Sequence, residues 1–187
     1  MTKLSNDKIP NFTPDLIFEL ERDAILTDVI SPSNISAKGF LINSKTKQLF
    51  DKYEIMEHKY FFATVYFKEK KFDYYWLHFI DINDKLLKDI DYNSSNFFIA
   101  DLVFSKIENI TIYSYEDYLK AKMNLSMRYI RAEKLMSKPM IKSKRCDLFY
   151  LDELASDLFI SKSLKKDIEA NNISGVLIKE QSIIGDW

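Results

Sequence analysis

Tyr60-Phe61-Phe62-Ala63-Thr64-Val65-Tyr66-Phe67, then Lys68-Glu69-Lys70-Lys71, then Phe72-Asp73-Tyr74-Tyr75-Trp76-Leu77-His78-Phe79-Ile80-Asp81 is the stretch that decides the fold. Aromatic and β-branched residues crowd both runs, which favours strand, and the charged tetrad between them reads as a turn. Successive strand residues point to opposite faces. Phe72, Tyr74, Trp76, His78 and Ile80 therefore share one face of the return strand. Tyr75, Leu77 and Phe79 share the other, with Asp73 and Asp81 at its ends. A strand that is apolar on both faces belongs at the centre of a sheet and is covered on both sides.

Short elements extend outward from this hairpin. Residues 1–14 are polar, carry Pro10 and Pro14, and read as a loose lead-in to a strand over 16–20. Ser31-Pro32-Ser33-Asn34 is a turn. A short helix follows over 44–53 with Asn43 or Ser44 as its cap. On the C-terminal side, 81–96 reads as an acidic connection with a short strand near 88–92, and 97–104 and 109–113 read as strands. Ser114, with Asp117 three residues on, caps a helix over 115–122, and Tyr115, Tyr118 and Leu119 form its apolar stripe. A strand over 127–135, a basic loop over 138–145 and, over 147–154, a strand then a turn or short helix come next. Ser161 caps a helix over 162–170 whose Leu164 and Ile168 lie one turn apart. Asn171-Asn172 suits a left-handed exit, and Gly175 opens a last strand over 173–178. The expectation is an α+β fold, an antiparallel or mixed sheet with short helices packed on it. Residues 15–187 form either one domain or two packed halves dividing near 114–126.

The chain has 187 residues, 47% hydrophobic and 29% charged, which excludes an intrinsically disordered protein. Twenty-seven basic residues against 28 acidic ones give a net charge of -1, which disfavours a globally basic nucleic-acid binder. Three glycines, where average usage gives roughly a dozen, exclude Gly-rich phosphate loops. The single cysteine, Cys146, forms no internal disulfide and fits a reducing compartment. The polar N-terminus lacks the apolar core of a secretory signal, and no apolar run reaches the ~18 residues of a membrane span. These features point to a cytoplasmic chain with no membrane partner.

Chemistry-bearing patterns are sparse. His58 and His78 lie twenty residues apart with no Cys partner, whereas zinc takes three or four ligands. His78, between Leu77 and Phe79, reads as a hydrogen-bonded core histidine. Cys146 follows Lys142, Lys144 and Arg145, cations able to depress a thiol pKa, but no base is near in sequence. Acids cluster from Asp73 to Asp101: Asp73, Asp81, Asp84, Asp89, Asp91 and Asp101. The stretch Asp81, Asp84, Asp89 and Asp91 admits three readings. It is a metal-dependent catalytic site, a solvated loop, or a negative surface for a basic protein partner. The opposite patch holds Arg128, Arg131, Lys134, Lys138, Lys142, Lys144 and Arg145 against Glu133. It reads as a phosphate-binding groove or a solvated face, with only Tyr129 as a stacking platform. No cofactor is called for.

Two stretches carry a resemblance. The first is Tyr74-Tyr75-Trp76-Leu77-His78 followed by Ile90-Asp91-Tyr92-Asn93-Ser94-Ser95-Asn96-Phe97. It is similar to an aromatic strand and then the pattern I-D-[YF]-x-x-S-x-F. The second is Ile160-Ser161-Lys162-Ser163-Leu164-Lys165-Lys166-Asp167-Ile168-Glu169 followed by Ile173-Ser174-Gly175-Val176. In this order they resemble the eleventh immunity-protein family of bacterial polymorphic toxin systems, earlier known as a domain of unknown function. The resemblance spans about residues 38–179, and its motifs are structural rather than chemical. It implies a cytoplasmic protein, with no catalytic residues, that neutralises a toxin domain encoded nearby by steric block. Asp81, Asp84, Asp89 and Asp91 are the candidate partner-binding residues, since toxins that attack nucleic acid carry basic surfaces.

Overall fold

The computed structural model describes residues 4–6, 9–31, 37–80, 83–136, 146–151, 153–155 and 157–180, with the side chains of 83–85 outside that set. The chain begins with β1 (Leu16–Glu19), β2 (Val29–Ile30), β3 (Gly39–Asn43), α1 (Ser44–Phe50), β4 (His58–Phe67) and β5 (Lys70–Phe79). It continues with α2 (Asn83–Lys88), a 3-10 turn at Tyr92–Ser94, β6 (Asn96–Ala100), β7 (Lys106–Ile110), α3 (Tyr115–Asn124) and β8 (Tyr129–Lys134). It ends with β9 (Leu148–Leu151), β10 (Asp157–Ile160) and α4 (Lys162–Ala170). β9 and β10 pair with each other. The fold is α+β, as the sequence implies.

Two compact units are present. One comprises Met1–Asp81, Cys146–Phe149 and Ile160–Ile178, and the other Ile82–Arg145, Tyr150–Phe159 and Lys179–Trp187. The division falls at residues 81 and 82, with later crossings, and not at 114–126. The physical reason lies in α3, which occupies that span. Its Tyr118 packs on Tyr92 at 6.4 Å and Tyr92 on Phe97 at 5.6 Å, so this helix shares a core with β6.

The first unit is built on a mixed five-stranded sheet of order β1-β4-β5-β3-β2, in which β1 lies parallel to β4 and the other pairs are antiparallel. β5 is central, as its doubly apolar sequence requires. One face carries Phe18, Leu41, Phe61, Ala63, Val65, Tyr74 and Trp76 as a single buried cluster. The other is covered near β3 by α1, where Phe40 meets Phe50 at 6.4 Å and Phe79 at 5.7 Å. The hairpin turn is tighter than the charged tetrad suggests. Lys70 and Lys71 pair with Phe67 and Tyr66, which leaves a two-residue turn. Lys68 (φ 48°) and Glu69 (φ 65°) both adopt positive φ, which matches the twist of the flanking strands. Asn43 caps α1 by accepting from the Thr46 amide, and Ser161 caps α4 by accepting from the Leu164 amide.

Three local expectations are corrected in this unit. The N-terminal segment is not loose where it is described. Asn6 donates to the Phe79 carbonyl (2.7 Å) and accepts from the Lys38 amide (2.9 Å), and Leu4 packs on the core cluster. Val29–Ile30 forms a short strand beside β3 just ahead of the expected turn, whose residues 32–34 lie outside the described set. Residues 173–178 form no strand. Instead the Ser174 amide donates to Asp28 Oδ2 (2.8 Å) and the Val29 amide to the Ser174 carbonyl (3.1 Å). Gly175 turns away at φ 85°, so contact is made at one point and no ladder extends.

The second unit contains the antiparallel sheet β7-β6-β8. Phe97, Ile99, Ile130 and Ala132 are buried on one face. Ser114 caps α3 by accepting from the Asp117 amide. The short strand expected at 88–92 is replaced by α2 and the 3-10 turn, because Asp91 caps that turn through the Ser94 amide. The strand expected over 97–104 ends at Ala100, where Asp101 begins a reversal. β7 starts at Lys106, earlier than its expected span, and carries a bulge opposite Ile99 and Ala100.

Candidate functional site

The acidic stretch does not assemble into a catalytic cluster in the described residues. Asp81 lies outside them, as does the side chain of Asp84. Asp89 is half-buried just after α2. Asp91 Oδ1 accepts from the Ser94 amide (3.4 Å), and its own amide donates to the Met136 carbonyl (2.7 Å). Its carboxylate is thus engaged in shaping the chain. Among the described residues no three His, Cys, Asp or Glu side chains come together as a metal-holding group.

Asp91 does border a shallow cleft of about 200 Å³, lined also by Lys88, Tyr92, Tyr113, Ser114, Tyr115 and Glu116. Lys88 Nζ sits 5.3 Å from the Tyr115 ring. Beneath lies a tyrosine-rich core. The Tyr118 hydroxyl donates to Glu153 Oε2 (2.5 Å), and Lys122 Nζ donates to Oε1 of the same carboxylate (2.7 Å). Burial, followed by the bond to Glu153, holds the Tyr118 phenol well above its ordinary pKa. Burial does the same for Tyr92, whose hydroxyl donates to the Leu87 carbonyl (3.0 Å). Both phenols are neutral and structural at physiological pH.

The basic segment is divided. Arg128 and Lys134 are exposed, and Lys138, Lys142, Lys144 and Arg145 lie outside the described residues. Arg131 is buried, with its guanidinium 4.6 Å from the Phe104 ring and donating to the Glu153 carbonyl (3.5 Å). Cys146 is half-buried. His78 is fully buried, as expected of a core histidine. Its Nε2–H donates to the Ser5 carbonyl (2.9 Å) and its Nδ1 accepts from Trp76 Nε1–H (3.4 Å). Burial pushes the His78 pKa below 6.5, against the opposing bond to Ser5.

The surface feature that sequence reasoning passes over is the turn between β6 and β7. Leu102, Val103 and Phe104 are 54%, 77% and 51% exposed. Asp101 Oδ1 accepts from the Val103 amide (3.0 Å) and the Ser105 amide (2.8 Å), and the Phe104 amide donates to the Asp101 carbonyl (3.1 Å). The ladder closes with the Asp101 amide donating to the Ser105 carbonyl (3.1 Å). Phe104 adopts φ 63° and leans on Tyr129, with ring centroids 5.4 Å apart. Met127 and Tyr129 are exposed as well. Three consecutive large apolar side chains are thus fixed in water on a bonded turn.

Among the described residues no helix is long and apolar enough to cross a membrane. Comparison of the chain with protein-family models, with curated proteins and with solved structures finds no match.

Proposed function

We propose that this chain is a cytoplasmic immunity protein that binds a toxin domain encoded beside it and neutralises that domain by steric block. The observation that carries the reading is the Leu102-Val103-Phe104 turn, an exposed apolar projection on a backbone fixed by Asp101. Protein interfaces draw most of their energy from a few large apolar or aromatic anchors that water cannot reach in the complex. The resemblance of residues 38–179 to the immunity family supports the same reading. Under it, Asp81, Asp84, Asp89 and Asp91 add charge steering toward a basic partner, which raises the association rate more than the affinity.

The test is genetic and biochemical. The C-terminal domain of the protein encoded immediately upstream is expressed with and without this chain. Growth arrest relieved by co-expression, with a stable complex on size-exclusion chromatography, is the expected result. Arrest that co-expression does not relieve, or an absence of complex at micromolar concentration, overturns the proposal.

A further inference from the structure

We infer that residues 4–6 form an acid-released strap, fastened to the core face of the first unit's sheet while His78 is neutral and freed when that ring takes up a proton. Three contacts fasten it. Leu4 packs on the core cluster. The Ser5 carbonyl accepts from His78 Nε2–H (2.9 Å). Asn6 is the clip at the end of the β3–β5 pair. Its Oδ1 accepts from the Lys38 amide (2.9 Å), and its Nδ2 donates to the Phe79 carbonyl (2.7 Å) and the Lys38 carbonyl (3.3 Å).

Both nitrogens of His78 are committed while the strap is closed. Nε2 carries the proton that bonds Ser5, and Nδ1 accepts the Trp76 indole N–H (3.4 Å). A further proton goes to Nδ1, where it meets another donor rather than an acceptor. Trp76 is 1% exposed and stacked on Phe18, so the indole is held in place. The neighbour able to give way and admit water is the short segment at Ser5. His78 itself is 0% exposed, and burial disfavours an imidazolium. The Ser5 bond alone favours the charged ring, but burial outweighs it and holds the pKa below 6.5. A proton therefore favours the arrangement that wets the ring, which is the open strap. The strap is closed above pH 6.5, and its open form gains population as pH falls below that value.

The surroundings of His78 supply no answering charge. Its register partner on β4 is Lys59, whose ammonium lies 5.1 Å from the Phe61 ring, itself 5.9 Å from the imidazole. A cation offers an imidazolium no counter-charge. Glu57, beyond Lys59, is exposed. The partner on β3 is Gly39. Along β5, Trp76 and Ile80 are apolar neighbours, and the Tyr74 hydroxyl is bonded to the Thr27 carbonyl. Leu4, Ser5 and Asn6 are uncharged. Lys3, Asp7, Lys8 and Asp81, which flank the strap and β5, lie outside the described residues.

The Lys38 amide, bonded to Asn6, reports the strap directly. Its hydrogen-exchange protection factor, which divides out the intrinsic pH dependence of exchange, is measured by NMR on the full chain at pH 7.5 and 5.5. A group that titrates at 6.5 once wet can shift the opening equilibrium by at most about tenfold between those values. The expected fall in Lys38 protection is about three- to tenfold, with the Trp76 and Leu77 amides of β5 steady within about twofold. His78→Gln keeps a donor for Ser5 and an acceptor for Trp76 but does not titrate. It is expected to hold Lys38 protection constant between the two pH values. Asn6→Ala removes the clip and is expected to lower Lys38 protection at least tenfold already at pH 7.5, with β5 unaffected. Wild-type protection at Lys38 that is the same at both pH values overturns the strap. So does a fall that persists in His78→Gln, or one shared in full by Trp76 and Leu77, which means that acid loosens the whole sheet. Undiminished Lys38 protection in Asn6→Ala overturns it as well, whether or not His78→Gln folds.

Discussion

Replacing Asp28 with alanine tests how the C-terminal segment is held to the sheet of the first unit. The Asp28 carboxylate accepts three bonds: from the Ser174 amide (2.8 Å), the Ser174 hydroxyl (2.7 Å) and Asn43 Nδ2 (2.6 Å). Asn43 is also the cap of α1, so one carboxylate links residue 174 to the start of that helix. Hydrogen bonds to a charged group contribute about 1.5–3 kcal/mol each when considered singly. Three of them do not add, because Asp28 is half-buried and water replaces part of what is lost. About 2–4 kcal/mol is therefore expected for Asp28→Ala, measured by urea denaturation at pH 7. The pH dependence provides a second check. Burial opposes the charge of Asp28, but the Ser174 and Asn43 bonds outweigh it and hold the carboxyl below its ordinary 3.8. A carboxyl depressed in the folded state contributes stability above the unfolded value and loses it as pH falls through the folded one. The gap between wild type and variant is thus constant from pH 5 to 8 and shrinks below pH 3.8. A cost under about 1 kcal/mol at pH 7, or a gap unchanged at pH 3, would refute the clamp.

Other perturbations probe the same unit and the helix caps. Trp76 is 1% exposed and stacks on Phe18 at 6.5 Å, so Trp76→Ala is expected to cost about 3–5 kcal/mol in urea denaturation, and a loss under about 1.5 kcal/mol would contradict its core placement. Gly175→Ala places a methyl group against the Val29 carbonyl at φ 85°, which predicts more than about 2 kcal/mol of destabilisation; a neutral result would show that this segment shifts at no cost. Ser161→Ala removes the cap on the Leu164 amide and is expected to cost about 1 kcal/mol, with Ser161→Asp restoring most of it. His78 has its folded pKa depressed below 6.5, so its neutral form contributes stability that is complete above pH 6.5 and lost as pH falls below it. Thermal midpoints between pH 7.5 and 5 should therefore fall more steeply in wild type than in His78→Gln, and parallel slopes would contradict this.

The hairpin was legible because its two strands repeat one signal at every position. Tyr74, Trp76 and His78 alternate with Tyr75, Leu77 and Phe79, and all but the half-buried Tyr75 are buried as that alternation demands. The caps were legible because Asn43, Ser114 and Ser161 act through bonds three residues long. What escaped depends on contacts distant in sequence. Ile173, Val176, Leu177 and Ile178 have strand composition, yet Asp28, more than a hundred residues away, decides that Ser174 docks at a single point. The N-terminal segment likewise reads as polar and loose until Asn6 meets the backbone of Lys38 and Phe79. Helix α2, with six residues and two leucines, is too short to display a period.

The turn between β6 and β7 was hidden for a different reason. Phe97-Phe98-Ile99-Ala100-Asp101-Leu102-Val103-Phe104 reads as one strand broken by a single acid, since Leu, Val and Phe are not turn formers. A turn built only for folding places glycine or asparagine at the left-handed position and polar residues at the tip, and would have been visible. Here Asp101 alone supplies the turn chemistry, and its bonds to Val103 and Ser105 leave the next three side chains free to be apolar. The positive φ of Phe104 and the failure to read its turn from sequence both follow from a turn whose chemistry Asp101 supplies alone. A sequence that satisfied the turn rules at 104 would place glycine or asparagine there, and the reversal would be visible without the structure.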